Sequence, residues 1–233
     1  MSGHAVAVGL SVVVGLTGCR RGQSGEPQAS TLSVAPAASL GAIPAGTAPI
    51  DPGAYRIPRS AWSVVDFSVA FPEGWTVKDG HYFLKNSDAD EELLFAAVAL
   101  DKVFTDACEG GHDRLEVGPG VDDLAASLLE QRGPKASGPV DTALGGSPGV
   151  RIDLTIPEGF DLEACNLEGN GLQIWFDHPT DDYFVLPPDG IASVYIVEVN
   201  GRRQVFLTQH RPATSEEDLH ELQAVLDSIH IEI

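Results

Sequence analysis

Asn200-Gly201 separates two strand-like runs, Ser193–Val199 and Arg202–Gln209, and no other feature narrows the possible folds so far. A two-residue type I′ turn needs φ > 0 at both positions, which Asn and Gly tolerate best. The pair therefore predicts a hairpin and commits the chain to antiparallel pairing. The same punctuation recurs upstream. Val64–Phe71 runs into Pro72-Glu73-Gly74, and Tyr82–Lys85 follows Asp79-Gly80. Val140–Leu144 and Val150–Ile156 flank the turn Gly145-Gly146-Ser147-Pro148-Gly149; Leu172–Asp177, Tyr183–Leu186 and a short His230–Ile233 complete the set. Leu93–Leu100 is a nearly continuous apolar run whose length suits a central strand, although its alanines also allow a helix.

Two stretches change period. Val121–Gln131 sets Val121, Leu124, Ala125, Leu128 and Leu129 on one helical face, with Asp122 and Asp123 in the first turn, where the helix dipole favours acids. A second helix begins at Thr214 or Ser215. Ser215 with Asp218 makes a capping-box-like start, and Leu219, Leu222, Val225, Leu226 and Ile229 form its apolar stripe. Many antiparallel strands with two separated helices predict an α+β fold, an antiparallel β-sheet covered by two main helices, in one domain over residues 60–233.

The N-terminal part reads differently. Ala5–Leu16 is apolar but shorter than the roughly 20 residues a spanning helix needs, and it has the length of a signal-peptide core. It ends in Leu16-Thr17-Gly18-Cys19, which looks like the lipobox of bacterial lipoproteins, where a diacylglycerol is attached to the cysteine sulfur and the chain is cut before it. One departure stands out: residues 1–4 carry only the amino terminus and His4, without Lys or Arg. A buried N-terminal strand or helix is the alternative. The expectation is a signal peptide over 1–19, lipidation at Cys19, and anchoring to the cell membrane on its extracytoplasmic face. Residues 20–59 are rich in Gly, Ala, Ser, Thr and Pro and read as a disordered tether spanning roughly 30–40 Å.

Charge excludes some functions. The net charge is −20, and beyond residue 59 there are 10 basic and 32 acidic residues. Such a surface repels phosphate backbones and anionic headgroups, so no nucleic-acid partner is expected. With Cys19 lipidated, Cys108 and Cys165 remain as an even pair in an oxidising compartment and predict a disulfide. A metal site joining Cys108, His112, Asp113 and Cys165 is the competing reading.

Catalytic motifs do not survive inspection. Gly145-Gly146-Ser147-Pro148-Gly149 matches the hydrolase nucleophile elbow, but a strand follows it where a helix is required. Pro148 also removes the N–H that an oxyanion hole needs. Asp88-Ala89-Asp90-Glu91-Glu92 imitates a calcium loop, yet Leu93 stands where such a loop needs Gly. Residues 177–182 (DHPTDD) gather possible ligands and otherwise read as a polar hairpin tip. His81, His210, His220 and His230 are scattered, and no nucleotide-binding fingerprint occurs. Trp175, Phe176, Tyr183, Phe184 and Tyr195 read as core aromatics, with a ligand-lining surface as the lesser alternative. No catalytic residue, metal or cofactor is therefore expected.

Asp66–Thr76 (DFSVAFPEGWT), the VDDLAASLLEQR helix, the EVNGRR hairpin and the closing ELQAVLDSI helix resemble Gram-positive, actinobacterial-type lipoproteins of unknown function. Their domain is similar to the PsbP/Mog1-like fold, an α-β-α sandwich. The resemblance covers roughly residues 60–233 and implies a binding or assembly module; no residue roles come with it. The combined expectation is a lipid-anchored extracytoplasmic binding or accessory module without catalytic activity. It would meet the membrane through the lipid on Cys19 and a protein partner at the cell envelope. An extracytoplasmic hydrolase lacking a familiar motif, or a solute- or cation-binding lipoprotein, are the alternatives.

Overall fold

Period-two alternation determines which strands bury one face and which bury both. The computed structural model describes residues 40–87, 89–109, 114–165, 167, 170–177 and 182–232. Its first strands are β1 (Gly41–Ala42), β2 (Ala48–Pro49), β3 (Gly53–Ile57), β4 (Phe67–Phe71), β5 (Thr76–Lys78) and β6 (Tyr82–Lys85). β7 (Leu93–Val98), β8 (Lys102–Phe104) and β9 (Arg114–Glu116) lead into α1 (Val121–Glu130). β10 (Lys135–Ala136), β11 (Val140–Leu144), β12 (Ser147–Thr155), β13 (Leu172–Asp177) and β14 (Asp182–Leu186) follow. β15 (Ile191–Val199), β16 (Arg202–His210), α2 (Glu216–Asp227) and β17 (His230–Ile231) complete the chain. The class is α+β, dominated by strands.

A central sheet runs β10-β12-β15-β16-β7-β6-β5-β2, with β11 also paired to β12. One of its faces carries Phe95 and Ala97 of β7, Val197 of β15 and Phe206 of β16. These pack with Phe67, Val69 and Phe71 of β4 and with Leu222, Val225 and Leu226 of α2. The opposite face carries Ala96, Val98, Ile152, Val194, Ile196 and Leu207. It packs with Leu124, Ala125 and Leu128 of α1 and with Ile174, Trp175 and Phe184. Each face is thus covered by one helix together with a four-stranded sheet, β1-β3-β4-β17 or β14-β13-β8-β9, where the sequence suggested helices alone. Burial on both faces explains the unbroken apolar run at β7 and settles it as a strand.

The predicted hairpin forms. Asn200 and Gly201 take φ of 51° and 72°, and β15 pairs with β16 from Val199↔Arg202 to Ile191↔His210. α2 begins where the cap predicted, with Ser215 Oγ accepting from the Asp218 N–H at 3.1 Å. β17 pairs antiparallel with β4, closing the C-terminal end onto the first strands.

Two expectations need correction. The tether read over 20–59 does not extend through 40–59. β3 pairs antiparallel with β4 from Gly53↔Phe71 to Ile57↔Phe67, and Ile50, Tyr55 and Ile57 are buried. Three well-placed apolar side chains suffice to fold a segment whose average composition is loop-like. Residues 20–39 lie outside the described residues.

The turn read over 145–149 is also shorter than its composition suggests. Gly145 and Gly146 alone make it, with φ of 58° and 84°, while Ser147, Pro148 and Gly149 already belong to β12 and pair with Leu144, Ala143 and Thr142. Gly149 is required for a separate reason: a Cβ there would overlap the Ile196 carbonyl oxygen of β15. Gly149→Ala is expected to cost about 2 kcal/mol as the two strands are forced apart. A urea titration showing no change in midpoint would contradict that close approach.

Candidate functional site

Strand register assembles a cleft from residues far apart in sequence. Lys78 pairs with Tyr82, Leu84 with Leu94, and Leu94 with Gln209. Directly paired residues project from the same face of a sheet. Tyr82 pairs with Ala96, which belongs to the core on the α1 side; Leu84 lies two residues along β6 from Tyr82, so both rows face that side. At the edge of the α1-side core these rows meet β14, the terminal strand of its sheet. Tyr183, Phe184 and Val185 of β14 form the opposing wall of a cavity of about 220 Å³.

The wall is braced from behind. Phe184 stacks on the fully buried Trp175, with ring centroids 4.4 Å apart. On the opposite face of β14, the Tyr183 ring contacts Phe104 and Phe176 at 5.8 and 5.4 Å, and the Arg114 guanidinium lies 3.9 Å above the Phe176 ring. Such packing fixes the wall's shape before any ligand arrives.

Gln209 is the distinctive lining residue. It is 4% exposed, and its side-chain oxygen is buried without a hydrogen-bond partner among the described residues. An unsatisfied buried acceptor costs about 1–3 kcal/mol, so its presence beside a cavity calls for a chemical reason. Lys78 and Glu92 add one charge of each sign to the lining, so the cleft has no net charge of its own.

Other polar clusters have structural tasks. Lys85 Nζ lies 2.8 Å from Asp218 and 2.9 Å from Glu221, all three side chains being mostly buried. Trp75 Nε1 donates to Glu221 at 2.7 Å, and Asn86 and Ser215 donate to Asp218. The group ties α2 to β6. Burial pulls the Lys85 pKa down, but its hydrogen bonds to both carboxylates outweigh that and leave it raised. Lys85 holds the Asp218 carboxyl below its usual range against the opposing effect of burial. Arg203, whose pKa burial lowers, donates to the carbonyls of Leu100, Gly118 and Gly120 and so pins the approach to α1.

Among the residues singled out from the sequence, Cys108 and Cys165 form the disulfide, with Cα atoms 4.8 Å apart. The competing metal site loses both thiolates to that bond; its His112 and Asp113 lie outside the described residues. Cys19 lies outside them too, as do residues 178–181 of the polar tip and Asp88 of the calcium-loop imitation. Ser147 is 4% exposed inside a strand. Among the named aromatics, Trp175 and Tyr195 are buried, and Tyr183 and Phe184 line the cleft. Sequence reading missed Lys78, Tyr82, Glu92 and Gln209. One signal was available: Val205, Leu207 and Gln209 share an inward face, and only the last is polar.

No protein-family profile matches this sequence, and no curated protein matches it. Solved structures give three distant likenesses. A crystal structure of a protein from Bacteroides thetaiotaomicron VPI-5482 is 12% identical with a TM-score of 0.37, covering 79% of this chain and 50% of that one. This chain therefore spans half the length of that protein. LpqN of Mycobacterium tuberculosis, described as involved in cell envelope biogenesis, is 13% identical with a TM-score of 0.34, covering 80% and 91%. The solution structure of cyanobacterial PsbP from Synechocystis sp. PCC 6803 is 13% identical with a TM-score of 0.35, covering 85% and 100%. All three scores fall below 0.5, so function must be argued from this chain's own residues.

Proposed function

We propose that this protein is a lipid-anchored, extracytoplasmic binding module without catalytic activity, and that the cleft between β14 and the central sheet is its ligand site. The observation that carries the reading is the Gln209 amide oxygen, buried beside a cavity with no partner among the described residues. A ligand would satisfy such a group once the amide turns toward the cavity. Two features support the external address. The Cys108–Cys165 disulfide suits an oxidising compartment. Cys19 ends a short apolar run in a lipobox-like sequence. Among the described residues no helix is long and apolar enough to cross a membrane.

Cys19→Ala tests the address. Cell fractionation is expected to find the wild-type chain with membranes and the variant unprocessed or released. Normal processing and membrane retention of the variant would sink the lipid anchor.

A further inference from the structure

We propose that β11 is the edge at which a second copy of this chain adds to the central sheet, giving a two-fold symmetric dimer whose two sheets run on as one. The contact is independent of the cleft. β11 ends the central sheet, and among the described residues only β12 pairs with it. The other strands that end a sheet hold two or three residues, except β14, whose residues wall the cleft. β11 holds five, with no proline and a single charge, so it lacks the usual blunting of a free edge. Val140, Asp141 and Ala143 are exposed along it. At 50%, Val140 is the most exposed large apolar side chain among the described residues.

Register decides which backbone groups this edge offers. Gly145 and Gly146 form a two-residue turn, so Leu144 and Ser147 close the hairpin as a hydrogen-bonded pair. Antiparallel pairing alternates bonded and open pairs, so Thr142 and Val140 also bond to β12. The N–H and C=O groups of Asp141 and Ala143 therefore point away from the sheet. Several antiparallel registers let two copies share them. Placing Asp141 opposite Asp141 of the second copy sets like charges face to face, which destabilises a strand pair. Placing Ala143 opposite Ala143 sets Asp141 against the Gly145 turn and leaves one bonded pair. Centring the contact on Thr142 sets Asp141 of each copy opposite Ala143 of the other, with two backbone hydrogen bonds in each of these pairs. Thr142 then faces its own counterpart across the axis, and Val140 meets Leu144 of the second copy. Leu144 belongs to the core on the α2 side, and Val140 and Thr142 share its face of the strand. The contact thus covers Val140 and extends that core. A two-fold interface requires one patch that is complementary to itself, and these five residues meet that requirement without opposing charges.

The test uses the full chain extracted from membranes in detergent, at about 0.5 M NaCl to screen the repulsion between two chains of net charge −20. One strand pair is a small interface, so sedimentation velocity is run from about 1 µM to about 1 mM, where such contacts associate. The wild type is expected to pass from one chain per particle to two. Ala143→Pro is expected to weaken the dimer by about tenfold or more, because each copy loses the N–H that bonds to Asp141 of the other. That N–H is not used within the chain, so the β11–β12 hairpin keeps its own bonds. Circular dichroism checks the fold. Thr142→Cys gives an independent reading. The Cα atoms of an open pair lie about 4.5 Å apart, within disulfide reach, so oxidation is expected to cross-link this variant well above the wild type, in which Cys19 sets the background. One chain per particle throughout, with no cross-link above that background, would overturn the proposal. A dimer unchanged by Ala143→Pro and not cross-linked through Thr142→Cys would place the contact elsewhere and overturn it. Cross-linking through Asp141→Cys in place of Thr142→Cys would overturn the register on which the proposal rests.

Discussion

Replacing both disulfide cysteines, as Cys108→Ala with Cys165→Ala, is expected to lower the stability of the folded chain by about 4 kcal/mol without changing its strand content. The bond joins residues 57 positions apart, and closing a loop of that length removes about 4 kcal/mol of conformational freedom from the unfolded chain. Cys108 follows β8, with its N–H bonded to the Asp106 side chain. Cys165 follows a short 3₁₀ turn, Leu162–Ala164, whose Asp161 cap accepts two backbone N–H groups. Both anchor points are thus held by local bonds of their own. Both cysteines also pack against the α1-side core, so the cross-link ties these loops to it. For a domain of this size, about 4 kcal/mol corresponds to a fall of about 10 °C in Tm. Far-UV circular dichroism is expected to stay the same at 20 °C. A double variant melting with the wild type would show that the bond adds nothing to stability. Loss of β-structure at 20 °C would show that the fold depends on it outright.

Lys85→Met is expected to cost about 3 kcal/mol, because two mostly buried carboxylates then face each other without their cation. The same cluster makes the wild type acid-sensitive. Asp218 is held below the usual carboxylate range in the folded chain, chiefly by the hydrogen bond from Lys85, so its contribution is complete above about pH 5. That contribution is lost as pH falls toward and through the depressed value. Lys85 is raised, so its own contribution holds below the ordinary lysine range and fades only in strong alkali. Wild-type stability from this cluster is therefore greatest between these limits. In Lys85→Met the chief cause of the Asp218 depression is removed, and denaturant midpoints between pH 6 and 3 are expected to vary less than in the wild type. An identical pH profile in the two proteins would mean that Lys85 does not control Asp218.

Features with a local cause were legible in the sequence. The β15–β16 turn follows from the backbone preferences of Asn and Gly, and the start of α2 from the reach of Ser215 to a nearby N–H. The disulfide follows from there being two cysteines left after Cys19. Features decided by distant partners were not. Ile50, Tyr55 and Ile57 are too sparse to signal a strand, and their segment folds because β4 offers a partner and a core. Ser147 to Gly149 look like a turn, yet β11 and β15 flank them on both sides. The cleft was hidden most thoroughly. Its lining comes from β5, β6, β7, β14, β16 and the approach to β7, and only sheet register sets the Lys78–Tyr82 pair beside the Leu84–Leu94–Gln209 row. Tyr183 and Phe184 were noticed as aromatics, but nothing local distinguishes a core ring from one that walls a cavity.

Intact-mass analysis of the protein extracted from membranes tests the central claim most directly, since one spectrum reads both processing and thiol state. The account predicts a chain that begins at Cys19 and carries a diacylglycerol there. Cys108 and Cys165 should be unreactive to thiol reagents until reduced. A chain recovered from the soluble fraction with Met1 present, Cys19 unmodified and three free thiols would contradict it.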